Sequence, residues 1–353
     1  MTRRKALANS DIAELLAIES ESAKMPAKKA LRSASRRAFM WPEEAADLLR
    51  QGRSLTELQS VGPYIGNLIR RWLEDPPAIP PRPAIRKQFL TITEAKAALS
   101  RKPDWLPSVR GDLQMHTTWS DGDASIADMA EAAAARRYEY IAITDHTKGL
   151  KIAGGINEEQ LRQQAREIDE VNDGFRHKGL TVLRSAELNI NPSGQEDMEA
   201  DALAELDLVL GCFHSSLRTK EDQTPRYLAA LRNPHIHILG HPRGRVYNYR
   251  LGLGADWPRV FDEAANLDKA VEIDGYPDRQ DLNVDLLKIA KRSGCRISLG
   301  TDSHGKEQLR FMEYSAAAAL IAGIPRDRIL NFLSREELLN WATGVRENKL
   351  RAA

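Results

Sequence analysis

The feature that most constrains this chain is a series of apolar, strand-like runs that each end in a side chain able to bind a metal ion. The first lies in residues 111–122, which read GDLQMHTTWSDG. Alternation along this short strand places Gln114 and His116 on one side. Asp121 follows in a turn ahead of a predicted helix. Side chains from a strand end and the next loop can converge on one cation, as at the C-terminal mouth of β/α barrels.

The same pattern recurs along the rest of the chain. From residue 109 onward, apolar runs alternate with amphipathic helical stretches, which is typical of parallel β/α architecture. Five more runs end in potential ligands, namely His146 after 140–144, Glu187 after 180–183, His214 after 208–213, His241 after 236–240, and Asp302 with His304 after 296–301. In a barrel of parallel strands these ends share one rim, so the sequence predicts that the side chains meet.

Each of these residues also has a simpler structural explanation. A lone histidine beside an apolar strand is more often part of the core, and an acidic residue there can cap the next helix. Together, however, clustered acids and histidines are costly unless cations or hydrogen bonds compensate them. Five of the eight histidines fall at strand ends, which favours a metal site. The other three, His177, His235 and His237, are predicted to be structural.

Length and composition restrict the remaining possibilities. With 353 residues, the chain can form a barrel-sized domain and a smaller one. The net charge of +1 creates no strong overall field toward nucleic acid or a membrane. The two cysteines, Cys212 and Cys295, lie in apolar runs and suit neither a disulfide framework nor a zinc ribbon. Because no segment approaches the length of a membrane span and the N-terminus lacks an apolar signal core, we expect a cytoplasmic protein without a membrane partner.

The N-terminal part, residues 10–75, is predicted to be helical. Residues 55–69 predict a helix, a tight turn and a second helix, and they resemble a helix-hairpin-helix, whose turn amides bind a DNA phosphate. Ser60 and Gln59 stand where that motif usually has its first glycine and its proline. The candidate DNA contacts are Val61, Gly62, Tyr64 and Gly66. The alternative is a helical bundle whose turn merely requires a glycine.

Basic residues of this N-terminal part allow two interpretations. Arg32, Arg36, Arg37, Arg70 and Arg71 form either a DNA-binding face or an ordinary solvated surface. A proline-rich segment, residues 75–83, then predicts an extended linker and a domain boundary.

The strand-end motifs resemble those of the PHP (polymerase and histidinol phosphatase) superfamily, in particular the C-terminal PHP domain of bacterial family X DNA polymerases. The resemblance spans residues 109–343 and rests on residues 113–116 with 120–122, 144–146, Glu187, His214, 240–242 and 301–304. The N-terminal helices are similar to the opening segment of the same polymerases. The nucleotidyltransferase domain that lies between those two parts has no counterpart here, which argues against polymerase activity.

The resemblance implies a distorted (β/α)7 barrel of the PHP fold, an α/β class, preceded by a small all-α helix-hairpin-helix domain. The predicted divisions are residues 1–75, a linker and connecting segment at 76–108, and a phosphoesterase domain at 109–345. The family holds up to three divalent metals. By resemblance, the ligand sets are Gln114, His116, Glu187 and Asp302; Glu187, His214 and His241; and Asp121, His146 and His304. Gln114 replaces the family's usual histidine.

Such a site suits phosphoester hydrolysis. Imidazole and carboxylate ligands favour Mn²⁺, Zn²⁺ or Fe²⁺ over Mg²⁺, and clustered cations lower the pKa of a bound water so that hydroxide can attack phosphorus. The candidate catalytic residues are His116, Glu187, His241, Asp302 and Arg245. Arg245, and less so Arg243, would clamp a substrate phosphate; the alternative for both is loop solvation.

Three functions are consistent with the sequence. The first is a DNA phosphoesterase, a 3'-5' exonuclease or a 3'-end-processing enzyme of DNA repair, with DNA as partner through the hairpin. The second is a small-molecule phosphatase of the histidinol-phosphate type. The third is a DNA-binding protein whose metal cluster is structural. We expect the first, because it accounts for both parts of the chain.

Overall fold

The computed structural model describes residues 6–350, with side chains through residue 347. Its N-terminal region contains four α-helices: α1 Asn9–Ser22, α2 Ala27–Arg37, α3 Ala45–Arg50 and α4 Pro63–Glu74. Their apolar faces share one core around Ile12, Leu16, Leu31 and Trp41, all of which are fully buried. The periodicity of the apolar residues explains this packing, because residues three and four apart lie on one helix face.

The first helix of the predicted helix-hairpin-helix is shorter than expected. Only a single 3₁₀ turn, Leu55–Glu57, precedes it. Gly62 then caps α4, and Pro63 occupies the first helical position, where its missing amide hydrogen costs nothing. Ser60 adopts a left-handed backbone with φ of 63°, the conformation that a glycine tolerates best. The helix-hairpin-helix assignment remains a prediction.

Within the described residues, the part of the chain after α4 alternates strands and helices. The eight strands are β1 Gly111–Asp112, β2 Tyr140–Ile143, β3 Thr181–Arg184, β4 Glu187–Asn189, β5 Leu210–Cys212, β6 Ile238–Leu239, β7 Ala270–Asp274 and β8 Arg296–Gly300. The nine helices are α5 Ile92–Leu99, α6 Ile126–Ala135, α7 Glu158–Phe175, α8 Ala200–Ala204, α9 Thr224–Arg232, α10 Trp257–Asn266, α11 Val284–Ser293, α12 Met312–Ala322 and α13 Arg335–Leu350. These bounds confirm the predicted α/β class.

All strand pairs are parallel, in two sheets with the orders β1-β2-β3 and β4-β5-β6-β7-β8. Single parallel bridges link the sheets, one between His146 and Glu187 and one between Met115 and Ser303. The strands are almost wholly buried, because helices cover the outside and the apolar runs face inward. Parallel pairing brings the carboxyl ends of the strands to one rim, whereas closure into a single barrel is not established by these pairings.

The N-terminal helices are docked firmly on the β/α part. Tyr247, from the loop after β6, lies in the N-terminal core with its ring 4.7 Å from that of Phe39 and 5.2 Å from that of Phe89. Arg86 forms a buried ion pair with Glu14 at 2.9 Å. The proline-rich segment is therefore followed by side chains that fix the two parts together, and helix α5 begins at Ile92.

No helix within residues 6–350 has both the length and the apolar composition needed to cross a membrane.

Candidate metal centre

The predicted ligands lie at the carboxyl ends of the strands, on one rim. Gln114 follows β1, His146 follows β2, Glu187 begins β4, and His214 and His241 each come two residues after β5 and β6. Asp302 and His304 follow β8. The strand ends are tied to one another by backbone hydrogen bonds, including His116 N to Ser303 O at 2.7 Å. The residues therefore converge because parallel strands end together.

Glu187 is the centre of the first cluster, and its carboxylate is fully buried. Its Oε1 atom lies 2.8 Å from Nε2 of His214 and 2.8 Å from Nε2 of His241. Its Oε2 atom lies 3.2 Å from Nε2 of His116 and accepts a hydrogen bond from Gln114 at 2.9 Å. One carboxylate thus faces four of the predicted ligands, which is the arrangement a bridging ligand requires.

Asp121 is the centre of the second cluster. Its Oδ1 atom lies 3.5 Å from Nε2 of His146, 3.5 Å from Nε2 of His304 and 3.9 Å from Nδ1 of His116. The ring of His116 stacks on that of His146 with centroids 4.4 Å apart. Asp302 connects the clusters, because its Oδ1 atom lies 3.1 Å from Nε2 of His116.

The donor atoms fit divalent cations. Four groups have one potential ligand atom from each member within 4.8 Å of the others: His116, Asp121, His146 and His304; His146, Glu187 and His214; Glu187, Cys212 and His241; and His116, Glu187 and Asp302. Three acceptor-capable atoms at the centre are buried without a hydrogen-bond partner: Gln114 Oε1, His116 Nδ1 and His146 Nδ1. Buried polar atoms are seldom left unpaired, so these atoms indicate that the centre is built to bind ions.

The charge states in the protein favour ligation. Burial opposes the charged form of Glu187, but His146 and His241 nevertheless hold its pKa well below the usual range. Burial likewise opposes ionisation of Asp121, yet the surrounding histidines lower its pKa to about 2. Burial lowers the pKa of His146 to about 3 and also lowers the pKa of His214 and His304. Burial opposes the charged forms of His116 and His241, but Glu187 raises the pKa of both. Metal binding would displace a proton from these two rings, because a metal ion needs neutral imidazoles beside ionised carboxylates.

Local backbone geometry supports the same conclusion. Asp302 and His241 have positive φ angles of 51° and 22°, conformations that cost free energy and cluster at functional sites. Gly122 is required for the approach of the Asp121 turn, because a Cβ atom at this position would lie 2.6 Å from the backbone of His116. The positions of the Asp302 and His241 side chains therefore depend on strained backbone conformations.

Two further aspartates hold the ligand-bearing loops. Asp145 accepts hydrogen bonds from Thr117 N at 2.8 Å, from the Ser120 hydroxyl at 2.5 Å and from Gln164 Nε2 at 2.6 Å. Asp112 accepts a bond from the Thr301 hydroxyl at 2.5 Å, and burial raises its pKa to about 6. Both carboxylates position ligands rather than join them.

Comparison with known proteins assigns the chain to a family. The PHP domain matches residues 112–297, more than half of the sequence. The chain belongs to the PHP domain family. It is 38% identical over 234 residues to the DNA polymerase/3'-5' exonuclease PolX of Bacillus subtilis (strain 168), an alignment that covers 66% of this chain and 41% of that protein. The chain thus spans less than half of that polymerase.

Smaller relatives and a solved structure are also similar. A probable phosphatase of Shewanella frigidimarina (strain NCIMB 400) is 30% identical over 244 residues, covering 66% of this chain and 92% of that protein. The histidinol phosphate phosphatase of Lactococcus lactis, solved with zinc, L-histidinol and phosphate, is 20% identical with a TM-score of 0.43 and covers 62% of this chain and 95% of that one. A likeness at that score adds nothing to the family assignment.

Arg245 and Arg243, the two arginines predicted to bind a substrate phosphate, lie in different environments near the metal centre. Arg245 lines the pocket beside the metal ligands, which has a volume of about 210 Å³, but it is buried and packs 3.6 Å from the Phe89 ring centroid. It also donates to the carbonyls of residues 87 and 88 at 3.1 and 3.2 Å. Burial lowers the pKa of Arg245 to about 9. Arg243 donates to the Leu251 carbonyl at 2.9 Å and holds its own loop.

Sequence reasoning missed two cations of the pocket beside the metal ligands, Arg279 and Arg250. Arg279, in the loop after β7, lines the same pocket and forms an ion pair with Asp302. Arg279 lies in a loop beyond the end of β7, where no periodic pattern marks it. Glu272 and Asp274 were also missed, because they lie within strand β7 rather than after it. Burial raises the pKa of Glu272 well above its usual range and that of Asp274 to about 7. Cys212, expected to be a core thiol, lies beside Glu187.

The predicted DNA contacts lie apart from this centre. Gly62 and Tyr64 are exposed, whereas Val61 and Gly66 are buried and support the hairpin from inside. Tyr247 does not face this centre, because its ring is 2% exposed and belongs to the N-terminal core. Tyr249 remains exposed, and the Trp119 indole donates to Glu167 at 2.7 Å.

Proposed function

We propose that this chain is a metal-dependent phosphoesterase that acts on DNA, as a 3'-5' exonuclease or in processing 3' ends during DNA repair. One observation carries the proposal: two adjacent clusters share His116 and His146 and are centred on Glu187 and Asp121. Isolated ion pairs do not explain so many ligand atoms with unpaired acceptors among them. Two or more cations held close together are a recurrent device for phosphoester hydrolysis.

The nine proposed ligands are Gln114, His116, Asp121, His146, Glu187, His214, His241, Asp302 and His304. Up to three Mn²⁺, Zn²⁺ or Fe²⁺ ions suit this donor set. Bound ions would activate water and offset charge on the phosphoryl oxygens. Glu187 would be a ligand in more than one of these sites, since each of its oxygens faces different histidines. His304 is oriented by the hydrogen bond between its Nδ1 atom and the Asp302 carbonyl at 2.8 Å, which leaves Nε2 for ligation.

The pocket also offers cations for a phosphate. Arg279 and Arg250 line it with Arg245, and guanidinium groups bind phosphate oxygens through paired hydrogen bonds. Arg279 now contacts Asp302, and we expect it to turn toward an anionic substrate once ions neutralise that carboxylate. His116, Glu187, His241 and Asp302 would act through the ions they hold, and Arg245 would fix the pocket wall.

The proposed architecture places this centre in the mouth of a distorted (β/α)7 barrel. Counting β3 and β4 as one interrupted strand gives seven, and the bridges from His146 to Glu187 and from Met115 to Ser303 support closure of the ring. The proposed divisions remain residues 1–75, 76–108 and 109–345. The shared packing of Tyr247 with Phe39 and Phe89 supports a rigid connection between the first and the third.

Two observations favour DNA as the substrate. The relative that is 38% identical bears the name of a DNA polymerase and 3'-5' exonuclease. The N-terminal helices add a hairpin whose exposed Gly62 stands at the start of α4 with open space around it. Amides at a helix N-terminus attract phosphate. A helix-hairpin-helix that contacts DNA through residues 61–66 would deliver the substrate to the metal pocket.

A small phosphomonoester is the second candidate substrate. It is favoured by the modest pocket of about 210 Å³ and by the relatives that are called probable phosphatases, one of which is covered over 92% of its length. This function would make no use of the hairpin. Gly62→Glu separates the candidates: its backbone suits any residue, no atom lies within 4 Å of the new Cβ, and the added charge would repel DNA alone.

The test uses the full chain loaded with Mn²⁺. Wild type, His146→Ala, the exposed-loop control His177→Ala and Gly62→Glu are each incubated with 3'-labelled DNA and with histidinol phosphate. We expect DNA hydrolysis by wild type and by His177→Ala, none by His146→Ala, and slower hydrolysis by Gly62→Glu, with Gly62→Gln as its neutral control. Hydrolysis of histidinol phosphate without hydrolysis of DNA would replace the first function with the second. Equal activity of wild type and His146→Ala would remove the proposed ligand role.

A further inference from the structure

A second cavity lies between the N-terminal helices and the β/α part of the chain, and we call it the basic groove. It has a volume of about 630 Å³ and lies between α2 and the segments that follow β7 and β8. Its cationic lining residues are Lys28, Lys29, Arg32, Arg36, Arg37 and Arg310. The groove is thus a concave surface with six positive charges, formed only where the two parts of the chain meet.

The charge of the basic groove is largely uncompensated. Helix α2 contains five basic residues and no acidic one, and Arg36 pairs with Asp278. In the part of the chain that the structure describes, the other five cations of the groove form no ion pair with an acidic side chain. Cations along a helix usually face open solvent, but these face a cavity wall. Such a surface concentrates positive potential and attracts an anion.

The spacing of the cations suits a linear polyanion. Lys28, Arg32 and Arg36 are four residues apart, so they form one row on α2 at intervals of about 6 Å along the helix axis. A single small anion would use one or two of these charges. A row with a regular repeat matches a chain of phosphates, each of which can meet a cation.

The groove connects the hairpin with the metal centre. At one end, Gln59 of the hairpin turn lines the cavity, and the Ser60 hydroxyl accepts a hydrogen bond from Ser33 of α2 at 3.1 Å. At the other end, the Tyr276 ring lies 6.3 Å from that of the proposed ligand His304. Gln308, also in the lining, accepts a bond from the His304 amide at 2.9 Å. The groove therefore ends beside the metal ligands.

Aromatic side chains line the end near the metal centre. The half-buried Tyr276 ring lines the groove, and it packs with its centroid 5.3 Å from that of Phe311, which is itself buried. Unpaired bases stack on such rings regardless of sequence, and a basic groove with aromatic rings is the common design for binding single strands.

We propose that the basic groove binds single-stranded DNA and leads its end to the metal centre. The proposal is based on the row of cations on α2, on the course of the groove from the hairpin turn to the metal ligands, and on the aromatic ring near those ligands. The proposal rests on the proposed DNA phosphoesterase function and specifies where its substrate lies. The hairpin would hold the more distant phosphates, and Tyr276 would stack on a base near the end. A histidinol-phosphate-sized substrate would leave the groove unused.

Binding is tested separately from hydrolysis. Fluorescence anisotropy of a labelled 12-nucleotide single strand is measured with the full chain in EDTA, between 0.05 and 0.3 M salt. The variant combines Arg32→Gln with Arg37→Gln, which are exposed and form no ion pair. The control combines Lys291→Gln with Arg292→Gln, at the end of α11 near the start of β8 and so at the opposite end of the strands. It removes the same charge from the molecule.

Loss of two phosphate contacts has a defined size. The slope of log affinity against log salt should become shallower by about 1.4, and affinity at 0.1 M salt should fall on the order of 25-fold. The control should match wild type. Equal effects in the variant and the control, or no binding by wild type, would overturn the proposal, as would displacement of the DNA by polyglutamate at equal charge concentration.

A footprint keeps the proposal testable if the variant does not fold. Lysine acetylation of wild type, followed by mass spectrometry, should show Lys28 and Lys29 protected by the single strand and Lys291 unprotected. Equal reactivity with and without DNA would overturn the groove assignment. These binding measurements need no turnover, so they are distinct from a failure of the proposed function, in which the Mn²⁺-loaded wild type would leave bound DNA intact.

Discussion

Replacing Glu187 by glutamine should remove most of the metal from this protein while leaving its shape almost unchanged. The two side chains have the same size, but an amide is a neutral and weaker ligand than a carboxylate. Glu187 is fully buried and contacts His116, His214 and His241 through its two oxygens. No other carboxylate of the centre contacts all three of these side chains.

The magnitude follows from how the ligand groups share residues. Three of the four groups contain Glu187, and the fourth is centred on Asp121. His214 and His241 both face Oε1 of Glu187 at 2.8 Å, so two of those groups serve one position. A wild type that binds three ions should therefore retain one in Glu187→Gln and two in Asp121→Asn. At a free metal concentration of 100 times Kd, each lost ion removes about 2.7 kcal/mol of stabilisation.

The assay is metal content by mass spectrometry after loading with Mn²⁺ and dialysis. Thermal unfolding with and without Mn²⁺ gives the linked stability of each variant. Asp121→Asn is the matched control, because it is also isosteric and its side chain is only partly buried. Equal metal content in wild type and Glu187→Gln would refute the bridging role. Equal losses in both variants would instead show one cooperative cluster, contrary to the division inferred here.

Three further predictions concern stability. Burial lowers the pKa of His237 to about 3 from its ordinary 6.5. The unfolded chain therefore takes up the proton at a higher pH than the folded protein, and stability falls as the pH drops below 6.5. At pH 5 the loss of stability is about 2 kcal/mol relative to pH 8. Chemical denaturation in EDTA gives the free energy of unfolding of wild type and of His237→Asn at each pH. The difference between the two proteins should change by this amount between pH 8 and pH 5, and a constant difference would contradict the prediction. Ser60→Gly should raise the free energy of unfolding by about 1 kcal/mol by relieving the left-handed backbone, and a destabilised variant would refute the strain. Tyr247→Ala should cost about 3–5 kcal/mol by emptying the shared core, whereas the exposed Tyr249→Ala should change stability by less than about 0.5 kcal/mol.

The outcomes at single residues show how far sequence patterns reach. His146 and Asp145 are adjacent and equally plausible as ligands, yet Asp145 turns toward Thr117, Ser120 and Gln164 and holds a loop. Side chains of neighbouring residues at a strand end point in opposite directions, and only the final backbone angles decide which one faces the rim. Arg279 was invisible for a related reason, since its loop has no periodic pattern.

Sequence alone determined the α/β alternation and the set of ligand candidates, because both depend on local periodicity and on side-chain chemistry. It also identified the family, whose motifs lie within short segments. Only the tertiary structure decided that Asp145 holds a loop, that Tyr247 joins the N-terminal core, and that α2 faces a groove ending at His304. These contacts join residues far apart in the chain, and their distances depend on how the parallel strands and docked helices pack rather than on any local pattern.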